Sequence, residues 1–312
     1  MTKKILFMGT PQFSVPILQA LIDSAYEVVG VVTQPDRPVG RKKVLTPSPV
    51  KQLAVNYNIP VYQPEKLVKS EELDTLLNTP LDLIVTAAYG QFLPASLLYH
   101  PKYRSINVHA SLLPKYRGGA PIQFALMNGD HETGVSIMYM EQKMDAGDVL
   151  AQVAIPIEES DNVSTLFDKL SLVGRDALID VLPNLFSGNI CAVPQNEELV
   201  TFSPALSREQ EKLDFSKDAR TVHNHIRAMN EWPGAYTILK GERFKIWESR
   251  IAPNRKGNIG ELIVSKESMS VCCGNDTSLE LCVVQPAGKG KMSIADFRRG
   301  VGASLQTGDQ FE

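Results

Sequence analysis

Short apolar runs alternate with helically spaced stretches through the first third of the chain. Ile5-Leu6-Phe7-Met8 is such a run, and Gly9-Thr10-Pro11 ends it with a turn that places proline at a helix start. Val15, Leu18, Leu21 and Ile22 then follow at helical spacing. Apolar runs at 28–32, 83–87 and 106–108 continue the rhythm. Near-continuous apolar strands alternating with helices predict a mostly parallel sheet covered by helices on both faces. Runs at 135–140 and 149–157, joined by a loop containing Gly and Asp, are expected to pair as further strands. An amphipathic helix over 165–182 closes this part.

From 187 to 207 the periodicity is lost, and Gly188, Pro194 and Pro204 mark a connector. Beyond it the pattern predicts one helix at 219–229 and short strands at 235–239, 243–251, 261–264, 269–273 and 279–284. Turn signals at Lys240-Gly241 and Gly274-Asn275-Asp276 separate them, as in a small β-barrel. The expected organisation is an α/β domain over 1–187, a linker over 188–207 and a smaller, OB-like β-barrel domain over 208–312.

Composition adds little to that picture. The 312 residues suffice for two ordinary domains, and 43% hydrophobic with 21% charged residues is a globular balance. The net charge of −3 speaks against a chain coated in nucleic acid. Residues 208–312, however, carry 16 basic and 14 acidic side chains, against 16 and 21 in the remainder, which permits a polyanion at the C-terminal part. The cysteines, Cys191, Cys272, Cys273 and Cys282, lack CxxC spacing and read as reduced structural thiols; adjacent Cys272 and Cys273 are expected on opposite faces of a strand. The apolar run after Lys3-Lys4 is too short for a signal peptide, and no segment reaches spanning length. A soluble, cytoplasmic protein is expected.

Several chemistries are excluded by missing motifs. No GxGxxG follows the first strand, and there is no GxxxxGK[ST], HExxH, GxSxG or zinc-type Cys/His spacing. The informative stretch is 105–111. On a strand, Asn107 and His109 share one face. An amide donor beside an imidazole can stabilise the oxyanion of a tetrahedral intermediate and move protons, which acyl transfer to an amine requires. Polar residues at a strand end also serve merely as caps. A Gly/Pro-rich loop over 112–121 follows directly, at the strand's carboxyl end, where open α/β sheets bind ligands. Downstream, Asp145 either caps a turn or orients His109 and favours its protonated form.

Asn107-x-His109, Ser111-Leu112-Leu113-Pro114, Arg117-Gly118 and Asp145-Ala146-Gly147-Asp148 together resemble the active-site signature of the 10-formyltetrahydrofolate-dependent formyltransferases. The resemblance implies a Rossmann-like first domain and a folate site near Ser111, Leu112, Leu113 and Pro114. It also implies catalysis by Asn107, His109 and Asp145, with direct attack of an amine on the formyl carbon and no metal or nucleotide cofactor.

The acceptor is suggested by 33–51, where four prolines and Gly40 predict irregular structure and five basic residues face one acid. A solvated surface loop would have the same composition. The wording nevertheless resembles the insertion loop of methionyl-tRNA formyltransferases, which enters the tRNA acceptor stem. By that likeness Arg41 contacts a base or sugar, and Lys42 and Lys43 contact phosphates. The family's small residue between arginine and lysines is missing here, and Ala110 stands where glycine is common. Segments 230–235 and 285–293 resemble the family's C-terminal domain, where Lys289 and Lys291, with Arg298 and Arg299 nearby, would hold tRNA. Trp232 could stack on a base, but its apolar neighbours and Pro233 make it an expected core residue. The implied partners are aminoacylated initiator tRNA and folate, and the implied state is a monomer. Two other readings stay open: a formyltransferase acting on the sugar nucleotide UDP-4-amino-4-deoxyarabinose, and a non-enzymatic RNA-binding module.

Overall fold

The computed structural model describes every residue except Met1 and Arg41. The chain begins β1 (Lys4–Gly9), α1 (Ser14–Ile22), β2 (Glu27–Val32), β3 (Arg37–Val39), β4 (Val44–Thr46), α2 (Pro49–Asn56), β5 (Val61–Tyr62) and α3 (Glu71–Leu77). It continues with β6 (Leu83–Ala87), α4 (Ala95–Leu98), β7 (Ser105–His109), α5 (Pro121–Met127), β8 (Glu132–Tyr139), β9 (Val149–Pro156) and α6 (Val163–Ser187). Two compact units result: one from Met1–Pro121, Glu132–Pro156 and Phe167–Pro204, the other from Ile122–His131, Ile157–Leu166 and Ala205–Glu312.

The first unit is built on a seven-stranded sheet in the order β5-β2-β1-β6-β7-β8-β9. Strands from β5 to β7 are parallel, and β8 and β9 are antiparallel additions, paired as the 135–140 and 149–157 runs predict. Successive strand residues face opposite sides, and Ile5, Leu6, Phe7 and Met8 are all buried, so both faces of β1 are covered. Leu6 and Met8 join a cluster with Leu73 and Leu76 of α3 and Leu97 and Leu98 of α4. Ser171 of α6 donates to the carbonyl of Phe13, and Phe167 packs edge-on against the Phe13 ring at 5.3 Å. Chain order reverses between β1 and β6, which makes the carboxyl ends of these strands the crevice where such sheets bind ligands.

Residues 33–51 correct one expectation. Part of the segment is regular: β3 and β4 form a two-stranded hairpin pairing Arg37 with Thr46 and Val39 with Val44, and α2 starts at Pro49. The ribbon is isolated, so Pro38 costs it no bond to a further strand, and the turn is closed by Lys43 N–H donating to Gly40 O at 3.1 Å.

In the second unit, α7 (Ala219–Ala228) precedes β10 (Tyr236–Leu239), β11 (Glu242–Ala252), β12 (Leu262–Val264), β13 (Met269–Cys272), β14 (Ser278–Pro286), β15 (Met292–Ser293) and α8 (Ile294–Arg299). The antiparallel order is β10-β11-β14-β13-β12, with β15 on β14. The last residues bond to both ends of this sheet. Glu312 N–H donates to Ile238 O at 2.9 Å, Phe311 N–H to Gly260 O at 2.9 Å, and Leu262 N–H to Asp309 O at 2.7 Å. They thereby draw the sheet into a barrel around Phe244, Ile246, Leu281 and Phe311. Cys272 and Cys273 are both buried, and burial pushes the Cys273 thiol up to about 12.

Trp232 corrects a second expectation: it is 78% exposed. The indole buried beside its turn is that of Trp247, only 7% exposed, which lies where a side chain on Gly234 would stand. Among the described residues, no helix is long and apolar enough to cross a membrane.

Candidate active site

The site is built at the carboxyl end of β7. Asn107 lies beside Thr86 of β6, whose hydroxyl donates to Asn107 Oδ1 at 2.7 Å. With its oxygen engaged, the amide presents Nδ2 as a donor. His109, two residues on, shares that face of the strand. Its Nε2 lies 3.0 Å from the carbonyl oxygen of Tyr116. A carbonyl only accepts, so Nε2 carries the ring proton, and Nδ1 is left to exchange one.

Asp145 faces that nitrogen. Its Oδ2 lies 3.7 Å from His109 Nδ1, longer than a direct hydrogen bond but close enough for a carboxylate to stabilise an imidazolium. The side chains are 6% and 17% exposed, so little water screens the pair. Oδ2 also accepts from Gly118 N–H at 2.8 Å. Glycine is required there, because φ is +125° and a Cβ would lie 2.5 Å from Ser203 O. Gly147 is required for close approach alone: a Cβ would stand 1.9 Å from Tyr139 O. The glycines of both motifs thus let two loops close on one carboxylate.

Beside the triad, Ser111 donates to Lys115 O at 2.6 Å, and Ser136 donates to Ser111 O at 2.6 Å while accepting from Leu113 N–H at 3.1 Å. Gln152 donates to Leu113 O at 2.7 Å. Ser111 and Leu113 are buried, whereas Leu112 and Pro114 are partly exposed.

A layer of support comes from residues that the motifs do not include. Gln195 accepts from Arg117 Nε and Nη2 at 3.0 and 2.8 Å, and it donates to the carbonyls of Asp145 and Gly147, both at 2.8 Å. One amide therefore ties the Arg117-Gly118 loop to the Asp145–Gly147 loop. Arg117 is fully buried, and Glu197 neutralises it at 2.8 Å. Hydrogen bonds from Arg117 and Lys143 hold the Glu197 carboxyl down to about 2. Thr86, Gln195 and Glu197 carry no signal of period or spacing that would single them out in the sequence.

The basic candidates lie elsewhere. Arg41 falls outside the described residues, while Lys42 and Lys43 are exposed at the tip of the β3–β4 hairpin. Arg37 and Lys51, at its base, are paired with Glu65 and Asp36, each at 2.7 Å. In the barrel, Lys289 and Lys291 are exposed. Arg298 is engaged by Ser265 O, and Arg299 by Asp296 and Glu267.

Residues 3–182 match the family model described as formyl transferase, and 205–302 match that of the formyl transferase C-terminal domain. The chain is 53% identical over 309 residues to methionyl-tRNA formyltransferase of Listeria monocytogenes serovar 1/2a, and 55% identical over 310 residues to that of Streptococcus sanguinis, covering 99% of each chain in both cases. Among solved structures, an N-formyltransferase from Helicobacter canadensis, in complex with folinic acid and dTDP-3-aminofucose, superposes with a TM-score of 0.70 at 18% identity, covering 92% of this chain and 100% of that one. HypX from Aquifex aeolicus, in complex with tetrahydrofolic acid, gives 0.67 at 18% identity, covering 98% of this chain and 49% of that one. At that identity these two speak for the fold. With both halves matched and full-length relatives above half identity, the chain belongs to the formyl transferase family, among the methionyl-tRNA formyltransferases.

Proposed function

We propose that this chain moves the formyl group of 10-formyltetrahydrofolate to the amino group of initiator methionyl-tRNA, with Asn107, His109 and Asp145 as the reacting side chains. The observation that carries the roles is the orientation of polar atoms at the end of β7: the Asn107 amide is turned by Thr86 to donate, and His109 Nδ1 faces Asp145. The neutral amine attacks the formyl carbon, and the carbonyl π pair moves to oxygen. Asn107 Nδ2 donates to that oxygen as charge develops. His109 Nδ1 takes the proton that the amine loses, and Asp145 stabilises the imidazolium. The bond from the formyl carbon to N10 then breaks, and N10 leaves with that proton. No covalent enzyme intermediate is needed.

For the donor, Leu112 and Pro114 offer apolar surface, and Ser111 and Leu113 hold the loop's shape. For the tRNA, Lys42 and Lys43 on the hairpin and Lys289 and Lys291 on the barrel supply phosphate-binding charge, and Arg41, next to Lys42 in sequence, is assigned a base or sugar contact. A monomer is proposed as the acting form, and the unbridged cysteines suit the cytoplasm.

A sugar-nucleotide acceptor is the rival. Solved structures of sugar N-formyltransferases resemble this chain at 18–19% identity, against 53–55% for the tRNA enzymes. The deciding test offers the protein 10-formyltetrahydrofolate with either methionyl-tRNA or UDP-4-amino-4-deoxyarabinose. Formylmethionine released from the tRNA supports the proposal. Formylation of the sugar nucleotide alone would replace it.

A further inference from the structure

Two segments distant in sequence, 230–235 and 285–293, meet at one corner of the barrel. Lys291 Nζ lies 3.7 Å from Glu231 Oε1 and 3.7 Å from the centroid of the Trp247 ring. Lys245 Nζ donates to Pro233 O at 2.7 Å and lies 5.1 Å from the same ring. Gln285 accepts from Trp247 Nε1 at 3.0 Å and donates to Lys289 O at 2.8 Å. Asn230 donates to Trp247 O at 2.9 Å. The turn carrying Trp232 is therefore held on both sides by named bonds.

On that fixed turn stands the most exposed large apolar side chain among the described residues, Trp232 at 78%. An indole left in water forgoes the burial that drives folding, and a barrel of this size has a core for it. The residues on either side of it in the chain are each held by a lysine: Glu231 by Lys291 and the Pro233 carbonyl by Lys245, and Lys289 is exposed on the adjoining turn. An exposed indole on a turn whose neighbouring residues are held by lysines is the chemistry that single-stranded nucleic acid recognises. The ring stacks on a base of any identity, and the lysines attract the flanking phosphates. An apolar contact with a second copy of the chain would gain nothing from the lysines beside the turn.

We infer that Trp232 is a stacking platform for an unpaired base of tRNA, with Lys289 and Lys291 on the adjoining phosphates. The inference rests on the tRNA reading above and adds a contact by a base to one by charge alone.

The chain has two tryptophans; both emit, but Trp247 is buried, so a quench on binding that is lost in Trp232→Ala reports on Trp232. Deacylated initiator tRNA is titrated into the full-length protein while emission is followed, and binding is measured in parallel from the anisotropy of end-labelled tRNA. Emission of the wild type is expected to be quenched along the same saturation curve as the anisotropy. In Trp232→Ala the quench is expected to disappear and the dissociation constant to rise about tenfold, the order given by loss of one stacked base. Trp232→Phe is expected to fall between the two. The thermal midpoint of both variants reports folding and should stay near wild type. Tight tRNA binding with unchanged emission, and equal affinity in Trp232→Ala, would overturn the stacking site while leaving the tRNA reading intact. Absence of any tRNA binding would remove both. Reduced self-association in Trp232→Ala at unchanged tRNA affinity would assign the face to a second copy instead.

Discussion

Thr86 Oγ1 and Asn107 Oδ1 lie 2.7 Å apart across adjacent strands, and this bond decides which end of the Asn107 amide faces outward. The hydroxyl has one proton and three acceptors near it. Ile106 O at 3.3 Å and Met140 Sδ at 3.2 Å are the longer alternatives. Thr86→Val keeps the shape and removes the donor, so the amide loses its fixed orientation. Turnover is expected to fall about tenfold with little change in KM for the folate, and Thr86→Ser should restore most of it. Steady-state kinetics on the three proteins checks this.

Asp145 combines a charge facing His109 with a hydrogen bond from Gly118. Asp145→Asn separates the two, since its amide oxygen still accepts from Gly118 while the charge is gone. A thermal midpoint near wild type is expected, together with a loss of roughly 10²-fold to 10⁴-fold in turnover, the range for a disabled acid–base group. Equal losses of stability and activity would mean that the carboxylate only holds the loop.

Gln195 offers a sharper separation. Gln195→Glu can still accept from Arg117 but would set a carboxylate oxygen against the carbonyls of Asp145 and Gly147. Gln195→Ala leaves the buried Arg117 without two of its bonds, and a cost of about 2–4 kcal/mol is expected in chemical denaturation. The glutamate variant should be the more stable of the two and still be slow in formyl transfer, because the Asp145 loop is no longer anchored.

How far the sequence alone leads is clear from these same residues. Strands β1, β2, β6, β7 and β8 and the barrel strands β10 to β14 follow apolar runs that read directly because residues of each run are buried; β9 follows its run although none of its residues is fully buried, and the two-residue β15 gives no run to read. The hairpin at 37–46 does not, since its Val39, Val44 and Leu45 are exposed and its prolines signal a loop. Asn107 and His109 are legible because strand alternation places them on one face. Gln195 is not, because it reaches Asp145 from 50 residues away in an aperiodic segment. Trp232 misleads for a related reason: its apolar neighbours mark a buried indole, but that indole is Trp247.

Acid should weaken the second unit through His223. This ring is buried between α7 and β11, with Nδ1 2.9 Å from Ser249 Oγ. Burial, with Arg227 and Arg220 adding to it, pulls its pKa from 6.5 down to about 4. The unfolded chain therefore binds a proton that the folded one refuses between those values. Stability is complete above about pH 6.5 and falls as pH drops toward about 4, by at most about 3 kcal/mol. Denaturation midpoints of wild type and His223→Gln across this window check the sign; the variant should show a shallower slope, and His225, whose pKa burial also lowers, supplies part of what remains.

The hairpin lysines act through charge. Lys42→Ala and Lys43→Ala are each expected to weaken tRNA binding and to reduce the slope of log affinity against log salt by about one. Filter binding at several salt concentrations measures both, and an unchanged slope would place the lysines away from the phosphates.

The reaction itself is tested most directly by single-turnover formyl transfer with Asn107→Ala, alongside equilibrium binding of 10-formyltetrahydrofolate and tRNA. Loss of an oxyanion donor is expected to slow the transfer by about 10²-fold to 10³-fold while both substrates bind as in wild type. A variant that transfers formyl at the wild-type rate would contradict the role given to Asn107 and the mechanism built on it.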